Sequence, residues 1–179
     1  RMGVTKRLTE LMAGNGNRSV QCLVRERMVP EHHLKGSPMD PLAPDELRTL
    51  LDQSYLATFC TTNPNGTIQA VPVWYRYDGE VFGVMTGTDM RKTKNLRLDP
   101  RVSLSIVQTK TETEPTRIAL VYGTATIHEP SLEEVKVKGA WIFSKYVDEE
   151  GVRQRIDPIP DGAACIVEIK ADKILSWHP

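Results

Sequence analysis

Apolar positions alternate with polar ones along most of this chain, and helical spacing is confined to a few short stretches. Leu47, Leu50 and Leu51 form one stripe behind Pro44-Asp45-Glu46, which predicts a short amphipathic helix over 44–53 with proline and acids in its first turn. Residues 55–62 are β-branched and aromatic, and Asn63-Pro64-Asn65-Gly66 is a strong turn. Residues 67–77 alternate, with Ile68, Ala70, Pro72 and Trp74 on one side. Asp78-Gly79 turns the chain again, and 80–86 returns as a third strand. Val102, Leu104 and Ile106 alternate with Ser103 and Ser105 in a fourth, and 117–128 makes a long fifth. Gly123 within that fifth strand predicts a bulge or a close approach of backbone.

Glu129-Pro130-Ser131 opens a helix carrying Leu132, Val135, Trp141, Ile142 and Tyr146, weakened in the middle by Gly139. Residues 108–116 and 148–161 are polar or charged and are expected to be loops. A sixth strand is expected over 163–170, a turn at Ala171-Asp172, and a short seventh strand over 173–177. Many short strands joined mostly by hairpins, with two or three helices, predict a mainly β, antiparallel barrel rather than a parallel sheet.

Residues 1–38 do not share this patterning. Lys35-Gly36 could be encoded by a purine-rich ribosome-binding sequence just ahead of Met39, so 1–38 reads as a translated leader, or else a genuine extension, and 39–179 as the domain. His32 and His33 within it have no partner cluster for a metal.

Composition narrows the field further. Lysine plus arginine equals aspartate plus glutamate at 23 each, so no global charge recruits nucleic acid or an anionic membrane. Cys22, Cys60 and Cys165 are too widely spaced for a zinc knuckle or disulfide framework, which suits a reducing cytoplasm. Cys60 and Cys165 fall on apolar strands as inert packing residues. No apolar run is long enough to span a bilayer.

Candidate chemistry concentrates in Met85–Arg101, M-T-G-T-D-M-R-K-T-K-N-L-R-L-D-P-R. A strand, a small-residue turn (Thr86, Gly87, Thr88) and a short helix bearing Arg91, Lys92, Lys94 and Arg97 make an anion cradle, because N–H groups and the helix dipole converge where cations cluster. The same residues also fit a solvated basic helix face. The segment matches neither of the common glycine-rich nucleotide loops, and the patch lacks the interleaved aromatics of a nucleic-acid surface.

The run L-A-T-F-C-T-T-N-P-N-G-T-I-Q-A-V-P-V-W-Y, followed by R-K-T-K-N-L-R-L-D-P-R-V-S-L-S-I and a final K-I-L-S-W, resembles the pyridoxamine 5'-phosphate oxidase-like, flavin-binding split β-barrel family over roughly 47–177. The resemblance implies a homodimer with two cofactor sites at its interface, binding FMN or the deazaflavin F420. The form of the basic helix is closer to the branch of small oxidoreductases with F420-dependent members. It further implies that Val71, Pro72, Val73 and Trp74 lie along the cofactor ring, with Gln69 nearby. Thr86 and Thr88 would then bond the phosphate, Arg91 and Lys92 neutralise it, and Asn95 support the helix or reach the ribityl chain. The chain ends K-I-L-S-W-H-P, without the C-terminal R-x-x-P region of true pyridoxamine-phosphate oxidases, which speaks against pyridoxal phosphate synthesis.

The expected activity is hydride transfer between the cofactor and a small planar substrate. That needs no catalytic triad, and the sequence offers none. Tyr75, Tyr122 and His128 are candidate proton donors, although a strand tyrosine is more often a packing residue and Trp74 and Trp141 read first as core or interface aromatics. The competing reading is a non-catalytic carrier of flavin, F420 or haem, with His128 as the internal axial ligand for haem.

Overall fold

The structure, a computed structural model, describes residues 40–179; the 1–38 segment with Cys22, His32 and His33 lies outside the described residues. The elements run β1 (Asp40–Pro41), α1 (Pro44–Asp52), β2 (Ala57–Thr62), β3 (Ile68–Val73), β4 (Arg76–Tyr77), β5 (Val81–Gly87), α2 (Arg91–Leu98), β6 (Arg101–Gln108), β7 (Arg117–His128), α3 (Leu132–Phe143), α4 (Glu149–Ile156) and β8 (Ala164–His178). All strand pairs are antiparallel, in the order β3-β2-β6-β7-β8-β5-β4, with β1 added to β8. The two ends of that order are consecutive in sequence. Only Trp74 and Tyr75 separate β3 from β4, so the link carries the chain from one sheet edge to the other and curls the sheet into a split barrel.

Alternation does what the sequence predicts. Ala57 and Phe59 on β2, Val102, Leu104 and Ile106 on β6, Ala119 and Val121 on β7, and Val167 and Ile169 on β8 are buried on the inner face. Phe82 and Val84 join them from β5, and Leu47, Leu50 and Leu51 of α1 plug one side. Tyr75 lies wholly inside, its hydroxyl donating to the Leu51 carbonyl at 3.2 Å.

Three expectations are corrected. The segment 148–161 contains a helix: Asp148 caps it by accepting from the Gly151 N–H at 2.9 Å, Glu149 and Glu150 sit in its first turn, and Arg153 and Arg155 in its last. There is no turn at Ala171-Asp172. β8 runs through as one strand beside β7, and Asp172 is the extra residue of a bulge, since Tyr122 pairs Lys173 while Gly123 pairs Ala171. Residues 67–77 are not one strand, because the chain leaves β2 after Val73 and rejoins the sheet beside β5. Gly123 is the close approach expected of it. A Cβ there would stand 2.5 Å from the Lys170 carbonyl oxygen.

The β3–β4 link is held from α3's far end. The Tyr146 hydroxyl accepts from the Tyr75 N–H at 3.0 Å and approaches the carbonyls of Tyr75 and Tyr55 at 2.9 and 3.2 Å, one of which takes its proton. Lys145 sits 3.7 Å from the Tyr75 ring centroid and donates to the Leu51 carbonyl at 2.7 Å. Burial lowers its pKa to about 8. Because the folded pKa lies below the unfolded one, the unfolded chain holds more protons from about pH 8 to the ordinary lysine range, and Lys145 makes stability rise with pH across that window. Urea unfolding at pH 8 and pH 9.5 should show that rise in the native protein and a flatter profile in Lys145→Met. Equal slopes in the two would refute the assignment.

Candidate functional site

A cleft of about 650 Å³ opens where β3, β5, α2, α3 and α4 meet. One wall is β3 and the link after it: Pro72, Val73 and Trp74. β3 is an edge of the sheet, so its outer backbone groups face no strand among the described residues, and Pro72 blunts that edge. Trp74 is fixed on two sides. It stacks on Tyr146 with centroids 4.8 Å apart at 4°, and meets Phe143 edge-on at 5.1 Å.

The opposite wall comes from the end of β5 and the start of α2, where Thr86, Gly87 and Lys92 line the cleft. α2 begins without a side-chain cap and without an acid in its first turn. Arg91 and Lys92 stand there instead, cations at the positive end of the helix dipole, an arrangement that costs stability until an anion arrives. Lys92 is half-buried and makes no ion pair among the described residues; burial holds its pKa below the usual lysine range. Lys94, by contrast, pairs with Asp89 at 3.5 Å, and Arg97 pairs with Glu129.

Five of the residues named from sequence therefore share this cleft: Pro72, Val73, Trp74, Thr86 and Lys92. Gln69 and Arg91 line a second depression, at the β2–β3 hairpin, beside Asn63 and Ile68. Val71 packs against the core. The Thr88 hydroxyl donates to the Gly162 carbonyl at 2.9 Å, so its one proton is committed to protein. Asn95 is buried. Its amide nitrogen faces Thr61 Oγ1 at 3.0 Å, Asn63 Oδ1 at 3.0 Å and Gln69 Oε1 at 3.3 Å, which ties α2 to the hairpin, while its own Oδ1 has no partner.

With three acceptors aimed at one amide nitrogen, Asn95→Asp should cost more than Asn95→Ala, about 3 kcal/mol against about 2 in urea unfolding. The reverse order would show that the amide is not the tie.

None of the proton-donor candidates lines the cleft. Tyr75 is core, Tyr122 is exposed on β7, and His128 bonds Glu168 through Nε2 at 3.0 Å. Cys165 is buried and burial raises its pKa, in keeping with an inert thiol; Cys60 is half-buried. Sequence reasoning missed the cleft's third side: Phe143 of α3, Arg155 of α4, and Ile159 and Pro160 beyond it. An acidic first turn and a basic last turn at Asp148–Ile156 were the signal available for α4.

An antiparallel split barrel with an apolar, cation-lined cleft between its edge strand and a basic helix defines the class of protein. The chain belongs to the pyridoxamine 5'-phosphate oxidase family, whose model matches residues 43–178. Among solved structures it is similar to a conserved hypothetical protein from Mycobacterium tuberculosis, at 25% identity and a TM-score of 0.64, over 80% of this chain and 89% of that one. It is also similar to an F420 reductase (22% identity, TM-score 0.53, 71% and 94%) and to HutZ, the haem storage protein of Vibrio cholerae (14%, 0.58, 73% and 91%). These last two likenesses are of fold. Among curated proteins nothing matches the sequence significantly. No helix among the described residues is long and apolar enough to cross a membrane.

Proposed function

We propose that this protein is an oxidoreductase that holds F420 or FMN in the cleft, F420 by preference, and passes a hydride between it and a small planar substrate. One observation carries the reading: Lys92, a half-buried cation without a carboxylate partner, faces the same cleft as Pro72, Trp74 and Phe143. A phosphate suits Lys92, Thr86 and the uncapped start of α2, and a flat ring suits the apolar wall. The donor set fits the cofactor. Bound there, the flavin or deazaflavin ring supplies the redox chemistry. The chain's own work is to bind, to orient and to keep water out: Lys92 and the start of α2 hold one end, Pro72 and Trp74 wall one side, and Phe143 and Ile159 shield it. The lean to F420 rests on the form of the basic helix, R-K-T-K-N-L-R-L-D-P-R.

The haem-carrier reading draws no support from this cleft, because His128, paired with Glu168 through Nε2, does not line it. The proposal includes a cytoplasmic homodimer. Leu56 at the mouth of the cleft and Ile68, Val107 and Tyr122 elsewhere expose apolar surface that a second copy could cover.

The test is a side-by-side titration of purified protein with FMN and F420 at two salt concentrations, with light scattering for the assembly. The expected result is saturable binding of one cofactor that weakens as salt rises, in a dimer. Binding of neither would refute the proposal.

A further inference from the structure

We propose that the substrate is itself an anion, a planar carboxylate, and that Arg155 is the residue that selects it. The inference rests on the cofactor reading above for the assignment of Lys92, and begins from the charge of the cleft. Two cations line it, Lys92 and Arg155, and no aspartate or glutamate does. A single phosphate accounts for Lys92 and the α2 amides beside it. Arg155 comes from a different element, α4, and leans over Trp74 with its guanidinium carbon 5.1 Å from the ring centroid.

The neighbouring arginine shows what Arg155 lacks. Arg153, on the same helix, is held by Glu149 at 2.8 Å and by Glu150 at 2.9 Å. Arg155 makes one hydrogen bond, from Nη1 to the Gly151 carbonyl at 2.9 Å, and no ion pair among the described residues. A guanidinium lying over an indole keeps its N–H groups in its own plane, so the unused edge remains free to take a carboxylate with two parallel bonds. The platform beneath is rigid, since Trp74 is clamped by Tyr146 and Phe143. A fork held on a fixed aromatic plate, beside the apolar wall that takes a flat ring, has the geometry of a receptor for an aromatic or conjugated acid. A lysine would satisfy the charge but not the fork.

The same anionic chemistry could belong to a second acidic group on the cofactor, and the experiment separates the two sources. The probes are 2-naphthoate and its uncharged analogue naphthalene-2-carboxamide, titrated calorimetrically into cofactor-loaded protein, with Arg155→Gln and Arg155→Lys beside the native chain. The native protein should prefer the carboxylate by about tenfold or more. Arg155→Gln should erase that preference by weakening the carboxylate alone, and Arg155→Lys should restore only part of it. Cofactor affinity should stay within about threefold in both variants, under half a decade in Kd.

Equal binding of the two probes by the native protein would overturn the proposal, as would a preference that survives in Arg155→Gln. A large loss of F420 or FMN affinity in Arg155→Gln would also overturn it, by giving Arg155 to the cofactor. If the native protein binds neither cofactor, the functional reading falls separately. The probe comparison in cofactor-free protein then still decides whether Arg155 recognises carboxylates.

Discussion

Lys92→Ala should weaken binding of the phosphate-bearing cofactor by about 1.5–3 kcal/mol, roughly ten- to 150-fold in Kd. The magnitude follows from position. Lys92 is half-buried, unpaired among the described residues, and set at the start of a helix whose first turn holds no acid. A charge-assisted bond there is formed in a site already partly out of water, where it is worth more than on an open surface. The salt dependence of binding should flatten in the variant, because one screened attraction has been removed. Folding stability should move in the opposite direction. Without ligand, removing a cation from the positive end of the helix dipole relieves a local repulsion. The native chain should instead be stabilised when cofactor is added, by mass action on the folded state. Titration and thermal unfolding of both proteins, with and without cofactor, check these signs. Unchanged cofactor affinity in Lys92→Ala would remove the cradle from the site.

Gly123→Val should be the most damaging single change to the fold, at about 3–4 kcal/mol and about 10 °C in Tm. The added Cβ would meet the Lys170 carbonyl oxygen at 2.5 Å and Ile169 Cγ2 at 3.0 Å. The first of these is backbone in the partner strand, so it cannot rotate aside. β7 and β8 must then part where the Asp172 bulge already interrupts their register. Thermal unfolding followed by circular dichroism measures the loss. A Tm within about 2 °C of native would show that the strands have room to separate.

Strands whose inner and outer faces differ were legible in the sequence, as Val102, Leu104 and Ile106 against Ser103 and Ser105 show. The hairpin at Asn63–Gly66 was legible for a different reason: Gly66 has a φ of 83°, which a turn glycine adopts without strain. α4 was not legible, since only Ile156 of its residues is buried and no apolar stripe announces it. β8 was misread at Asp172 because an Ala-Asp pair between apolar runs suggests a turn locally, and only the neighbouring strand shows that the chain continues. The site divided along the same line. Lys92 and Thr86 sit on elements with local signatures, and Trp74 directly follows one. Phe143, Arg155 and Ile159 enter the cleft through the packing of α3 and α4 across it, a tertiary fact without a local pattern.

The position of β8 in the sheet bears on how the molecule is made. β8 is the furthest element along the chain, yet it pairs with β7, β5 and β1 and so joins the two halves of the strand order. A nascent chain that has emerged only as far as α4 can assemble β2, β3, β6 and β7, but β5 has no partner except the two-residue β4. The sheet's unmade middle leaves the edges of β5 and β7 unpaired until Ala164–His178 has emerged. Ala164, the first residue of that strand, also lines the cleft, so the site cannot mature before the barrel does.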